Sequence, residues 1–144
     1  TNVCLDLFVF RDPRWALLLK AMQNGEVEAL TRDDCRKEWS IVLGYPHLKL
    51  DEAARVQVTT EFDALIRCLP IPEPNEAPLK LPVCKDKDDQ KFLELSRDIK
   101  ADVLITKDKA LLKLARKTRR DGLFSIMTPE AWTLEASQAR QALE

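Results

Sequence analysis

Residues 103–119, VLITKDKALLKLARKTR, begin with Val103, Leu104, Ile105 and Thr106 and then pass through Lys107 and Asp108 into a segment of a different period. Leu111 and Leu112 stand at i+3 and i+4 from Asp108, so the stretch reads as a strand, Val103–Thr106, followed by a helix from Asp108 to about Arg119. The next apolar run, FSIM (Phe124–Met127), reads as another strand. Strand, helix and strand in succession argue for an α/β layer structure whose sheet is largely parallel.

The same alternation extends in both directions. Thr128-Pro129 opens a last helix with a capping hydroxyl followed by proline at the first helical position. Upstream lie a strand near Leu81–Cys84 and a helix from about Asp88 to Lys100. Before these, Pro70, Pro72, Pro74 and Pro78 forbid regular structure and predict an exposed, stiff loop. From Asp51 to Leu69 the residues Val58, Phe62, Leu65, Ile66 and Leu69 recur at helical spacing and predict one long helix. Asp33 to Gly44 reads as a helix closed by a glycine, with GYPHL as a turn. VEAL (Val27–Leu30) is a short strand, and a helical region from Val3 to Asn24 restarts at Asp12-Pro13.

The chain's 144 residues, 45% of them hydrophobic, are enough for one domain with a real core. With 23 basic and 24 acidic residues no global field points to nucleic acid or a membrane, so any such partner must be recognised by a local patch. Cys4, Cys35, Cys68 and Cys84 are widely spaced and accompanied by the single His47, a pattern of neither a zinc site nor a disulfide framework. Buried thiols in a reducing compartment are expected. No apolar run reaches the length of a membrane span, about 18 residues, and no leader precedes the first element, so the expected location is the cytoplasm.

In open α/β sheets ligands bind beyond the carboxyl ends of the strands. Asp86, Asp88 and Asp89 follow one predicted strand and Asp108 follows the next, which places both groups at one edge. Asp89 is followed at i+3 and i+4 by Phe92 and Leu93, so it points along its helix's core stripe as Asp108 does. Glu38 repeats the pattern, with Cys35 at i−3 and Ile41 and Val42 at i+3 and i+4. Carboxylates on apolar stripes require a compensating cation. Three that converge at about 4 Å repel by a few kcal/mol per pair at an effective dielectric of about 20. A hard divalent ion, Mg²⁺ or Mn²⁺, takes oxygen ligands of this kind together with phosphate. Singly, each acid is also explained as a helix cap, a dipole partner or a solvated charge.

The stretches TNVCLDLF (1–8), DDCRKEWSIVL (33–43), CKDKDDQKFLEL (84–95), LITKDKALLKLA (104–115) and SIMTPEAW (125–132) resemble PIN-domain ribonucleases, of the branch described as toxins of toxin–antitoxin pairs. The resemblance implies a three-layer α/β/α PIN-like fold with a mostly parallel sheet, a nuclease domain over residues 1–133 and a helical tail over 134–144. It implies hydrolysis of single-stranded RNA with one or two Mg²⁺ or Mn²⁺ ions, leaving a 5′-phosphate and a 3′-hydroxyl. By position, Glu38, Asp89 and Asp108 match the family's acidic quartet as catalytic metal ligands, with Asp86 and Asp88 in the outer shell. Thr1 and Asn2 would cap the first helix and orient a ligand; Asp6, three residues after Val3 and four before Phe10, lies on a similar stripe and either faces the acidic pocket or serves as a cap or surface charge. In the family a central strand ends in an aspartate directly before Thr-Asn. Because this chain starts at Thr1-Asn2, the expectation is that the first central strand and its aspartate are absent, that the natural protein continues upstream, and that the shorter form binds metal weakly.

Between Lys107 and Arg120 seven basic residues face one acid. Lys107, Lys109, Lys113, Arg116 and Lys117 are the candidates for RNA phosphates, against the alternative of a solvated face with cations near a helix C-terminus. Trp15, Trp39 and Trp132 fit core or interface anchors better than base-stacking platforms. His47, in its turn, has no partner motif for acid–base work. The resemblance further implies a protein antitoxin, for which CLDLFVF (4–10) and Trp15 offer an apolar surface, as they do for a homodimer. Two other classes remain: a degenerate PIN fold that only binds RNA or protein, and a phosphoacceptor receiver domain. The second lacks its acidic pair after the first strand and its lysine after the last.

Overall fold

Among the described residues two strand pairs form, and both are parallel. The computed structural model describes residues 1–70 and 80–143. Contacts divide the chain into two compact units, Thr1 with Val3–Ile71 and Asn2 with Pro72–Glu144. From residue 71 on, the predicted proline-rich loop lies outside the described residues.

In the first unit β1 (Ala29–Arg32) pairs with β2 (Ile66–Leu69), in register from Ala29 opposite Ile66 to Arg32 opposite Leu69. Parallel neighbours need a crossover of a dozen residues or more. Here α3 (Asp33–Leu43) and α4 (Glu52–Leu65) supply it. They are preceded by α1 (Asn2–Phe8), a 3₁₀ turn at Pro13–Trp15 and α2 (Ala16–Gln23). The restart at Asp12-Pro13 is as expected: the Asp12 carboxylate accepts from the Arg14 backbone N–H, and proline occupies the first turn. The core is aromatic. Trp39 stacks on Phe62 with centroids 4.9 Å apart, and Phe8 meets both rings edge-on at 6.3 and 5.8 Å. Such pairs contribute about 0.5–1.5 kcal/mol each beyond the area they bury. Trp15 and Trp39 are therefore anchors, buried as the sequence suggested.

In the second unit α5 (Gln90–Asp98), β3 (Val103–Ile105), α6 (Lys109–Leu112), α7 (Ala115–Arg120), β4 (Ser125–Met127) and α8 (Pro129–Leu143) follow a 3₁₀ turn at Lys87–Asp89. Cys84, Leu93, Leu111, Phe124 and Ile126 form its buried cluster. The helices that feed the two strands stop in the same way. The Ala101 N–H returns to the Ser96 carbonyl at 2.9 Å, with Lys100 left-handed at φ 53°. The Leu123 N–H returns to the Thr118 carbonyl at 3.0 Å, with Gly122 at φ 70°. Both are Schellman closures, and only the second uses the glycine that such a position favours. As predicted, Thr128 caps α8, accepting from the Ala131 N–H at 3.0 Å.

Four expectations need correction. VEAL is displaced: the strand is Ala29–Arg32, two residues later than the sequence suggests. The helix expected over Asp51–Leu69 ends at Leu65, and its last four positions are β2. Pro70 disfavours helical geometry at Leu69, and the pairing with β1 extends that preference back to Ile66. Leu81–Cys84 is not a strand, because Pro82 has no N–H to donate and the Cys84 N–H is taken by the Gln90 side chain. The helix after Asp108 is two helices, broken where the Leu114 N–H bonds back only three residues to the Leu111 carbonyl. The α/β class and the parallel pairing stand.

Candidate metal centre

Asp86 and Asp89 are brought together by local geometry. The Asp86 side chain caps the 3₁₀ turn, accepting from the Asp88 backbone N–H at 3.0 Å, while the Asp89 N–H donates to the Asp86 carbonyl at 3.1 Å. In a 3₁₀ turn positions i and i+3 eclipse, so residues 86 and 89 present their side chains on one side. Asp108 arrives from the end of β3 as the N-cap of α6. Its carboxylate accepts from the Ala110 N–H at 2.8 Å, and its own N–H donates to the Thr106 hydroxyl at 3.0 Å. One carboxylate oxygen from each of Asp86, Asp89 and Asp108 lies within 4.8 Å of the others. Asp86 is exposed and the other two are half-buried; Oδ2 of Asp89 is itself shielded from solvent.

The donor set fits a hard divalent cation. All three groups are carboxylates, and opposite ligands in a Mg²⁺ shell with bonds of about 2.1 Å stand about 4.2 Å apart, so the observed spacing is on the scale of a shared shell. Cys84 precedes Asp86 by two residues. Burial pushes the Cys84 thiol up, and the charges of Asp89, Asp108 and Asp86 push the same way against a hydrogen bond from the Asp86 backbone.

The predicted residues are thus distributed as follows. Asp89 and Asp108 meet, and Asp86, expected as an outer-shell helper, stands with them. Asp88 is exposed, and its carboxylate is not part of the group. In the first unit Glu38 is half-buried on α3 and accepts from the Thr1 hydroxyl at 2.7 Å. Thr1 holds the N-cap position of α1, but its side chain makes no capping bond; its proton goes to the stronger acceptor, a carboxylate, which corrects the capping part of the expectation. Asn2 is the first residue of α1. Asp6 is buried and accepts from the Trp15 indole N–H at 3.2 Å. His47 is exposed beside Tyr45. Lys107, Lys109, Lys113, Arg116 and Lys117 lie on the exposed or half-buried surface of the segment that follows β3. The signal that would have promoted Asp86 was its D-x-x-D spacing ahead of a helix.

A cavity of about 470 Å³ between Arg97, Lys100, Arg119 and Phe124 contains none of the clustered acids; it lies where β3 and β4 begin, whereas Asp108 follows the end of β3. Among the described residues no helix is long and apolar enough to cross a membrane. All four cysteines are free thiols; Cys35 and Cys84 are buried, while Cys4 and Cys68 are partly exposed.

Comparison with curated proteins gives no match, and neither does comparison with solved structures. A family model described as PIN domain matches residues 1–110. PIN domains are typically nucleases that act on RNA and usually bind divalent metals, and an acidic group of the kind that use requires is present here. With an α/β fold of parallel strand pairs and a profile match over more than half its length, the chain belongs to the PIN-domain family.

Proposed function

We propose that this protein is a metal-dependent endoribonuclease of single-stranded RNA, with Asp86, Asp89 and Asp108 holding Mg²⁺ or Mn²⁺. The observation that carries the reading is the approach of three carboxylate oxygens to within 4.8 Å of one another at the edge of one unit. Like charges so placed oppose folding by a few kcal/mol in the absence of a counter-charge, which makes the cluster costly as scaffolding and useful as a cation site. When bound, the ion supplies Lewis-acid polarisation of the phosphate and neutralises charge on the departing oxygen.

The chain's own residues do the rest. Asp86 and Asp108 are held by the turn and the helix they cap, so their carboxylates are oriented before any ligand arrives. The cations of α6 and α7 follow directly from Asp108 and offer charge to RNA phosphates on either side of the scissile bond. Glu38, oriented by Thr1, enters the proposal as a further acid on the strength of the family resemblance. The protein antitoxin and a toxin's role belong to the same reading. Expression is expected to arrest growth, and an Asp89→Asn variant to abolish the arrest.

The direct test incubates the purified chain with end-labelled single-stranded RNA and Mn²⁺. Cleavage that is removed by chelation and by Asp89→Asn supports the assignment. An RNA that is bound but left intact at every Mn²⁺ and Mg²⁺ concentration would instead favour a protein that only binds RNA.

A further inference from the structure

The segment Lys80–Cys84 leads directly to Asp86, yet among the described residues no strand pairs with it, and Val83 stands 81% exposed. Its backbone is instead held by one side chain. Gln90 accepts from the Cys84 N–H through Oε1 at 2.7 Å and donates to the Pro82 carbonyl through Nε2 at 3.1 Å. A primary amide used in both directions in this way substitutes for a rung of a β-ladder. Gln90 is also the first residue of α5, the helix for which Asp89 is the N-cap. The two bonds therefore close the loop that carries Asp86 and Asp89, tying its entry at Cys84 to its exit at Gln90. On the far side the Cys84 side chain is fixed in the core with Leu93 and Leu111.

We infer that Gln90 is a positioning residue for the metal centre, one that holds Asp86 and Asp89 at ligand spacing through the backbone of Pro82 and Cys84. The inference rests on the metal-dependent reading above. Without the bracket, mutual repulsion of the acids works directly against the 3₁₀ turn that sets their spacing, and the loop opens more readily. The bracket's loss acts on how well the carboxylates are arranged, while the carboxylates themselves remain.

The test titrates the full chain with Mn²⁺ alone, by calorimetry or by loss of the free-ion EPR signal. Gln90→Met, which keeps the side-chain length and removes both bonds, is expected to weaken Mn²⁺ binding by about tenfold or more, the usual cost of losing support behind a ligand. Its RNA cleavage is expected to recover as Mn²⁺ is raised to saturation, which a general loss of structure would not allow. A second measurement needs no variant: by linkage, Mn²⁺ must increase hydrogen-exchange protection of the Cys84 amide in the unaltered protein. Unchanged Mn²⁺ affinity in Gln90→Met, or bound Mn²⁺ with no change at the Cys84 amide, overturns the inference while leaving the metal centre intact. Failure of the unaltered protein to bind Mn²⁺ overturns both, and Asp89→Asn, which must lose Mn²⁺ binding outright, tells the two failures apart.

Discussion

Both units carry acids shortly past the end of a parallel strand, Asp33 and Asp34 after β1 and Asp108 after β3, and treat them in opposite ways. After β1, both acids that open α3 face a donor: Arg32 binds Asp34 at 2.6 Å and the Cys68 thiol donates to Asp33 at 3.2 Å, while on α4 Asp63 is bound by Arg36 at 2.7 Å. After the 80–84 segment and after β3, carboxylates are gathered next to other carboxylates. The first arrangement is that of a structural edge, where charges are neutralised as the chain folds. The second keeps negative potential concentrated; burial raises the affinity of the Cys84 thiol for its proton, and the charges of Asp89, Asp108 and Asp86 add to it. Acids past a parallel strand thus serve scaffolding in one unit and, on the proposed function, chemistry in the other.

The sharpest way to break this contrast is to neutralise one acid on each side. Asp108→Asn keeps a good N-cap for α6, yet RNA cleavage is expected to fall at least about 100-fold, since an interaction worth several kcal/mol with the cation is lost. Thermal unfolding measured without metal should show no loss of stability, because a repulsive partner has gone. Asp34→Asn should do the reverse: cleavage unchanged, and unfolding free energy lower by about 1.5–3 kcal/mol, the usual worth of a charge-assisted hydrogen bond, with partial exposure of Asp34 favouring the lower end. If both variants lose activity equally, or both lose stability equally, the distinction fails.

The same pair has a pH signature. Hydrogen bonds from Arg32 lower the folded-state pKa of Asp34, with the charge of Arg32 and the Cys35 N–H adding to the effect against burial. A depressed carboxyl contributes stability above its unfolded pKa of about 3.9 and loses it as the pH falls through the folded value. Denaturant midpoints of the unaltered protein and of Asp34→Asn should therefore differ near neutrality and converge in acid.

Weaker effects sharpen the account of the second unit. Replacing Lys109, Lys113 and Lys117 with glutamine is expected to lower RNA affinity and to reduce the slope of log affinity against log salt by about 0.7 for each phosphate no longer neutralised, measured by fluorescence anisotropy across a salt series. Smallest is Lys100→Gly. Removing the side chain from a left-handed residue relieves about 1 kcal/mol of steric cost, visible as a modest rise in the denaturant midpoint and no change in cleavage.

How much of this was legible beforehand varied with the kind of signal. β3, β4 and the opening of α8 are readable because short, largely apolar runs sit between turn and cap residues. β2 was hidden, since Ile66 and Leu69 continue the helical spacing of Phe62 and Leu65, and four residues are too few for alternation to declare itself. Pro70 was the only local warning. Asp89 and Asp108 were found by their position on apolar stripes, whereas Asp86 lies on no stripe and is exposed. Its place in the cluster depends on a tight turn that residue pattern alone does not display. Gln90 was invisible for a related reason: a neutral polar residue carries no expectation of burial or charge, and its importance comes entirely from which backbone groups it reaches.

The single turn between Asp86 and Asp89 has an evolutionary corollary. A surface loop ordinarily tolerates a gained or lost residue, but with three residues per turn one insertion here would swing the two carboxylates about 120° apart. Among descendants of this sequence, length variation should be purged at that spot even though solvent surrounds it, and point substitutions at positions 87 and 88 should be passed freely.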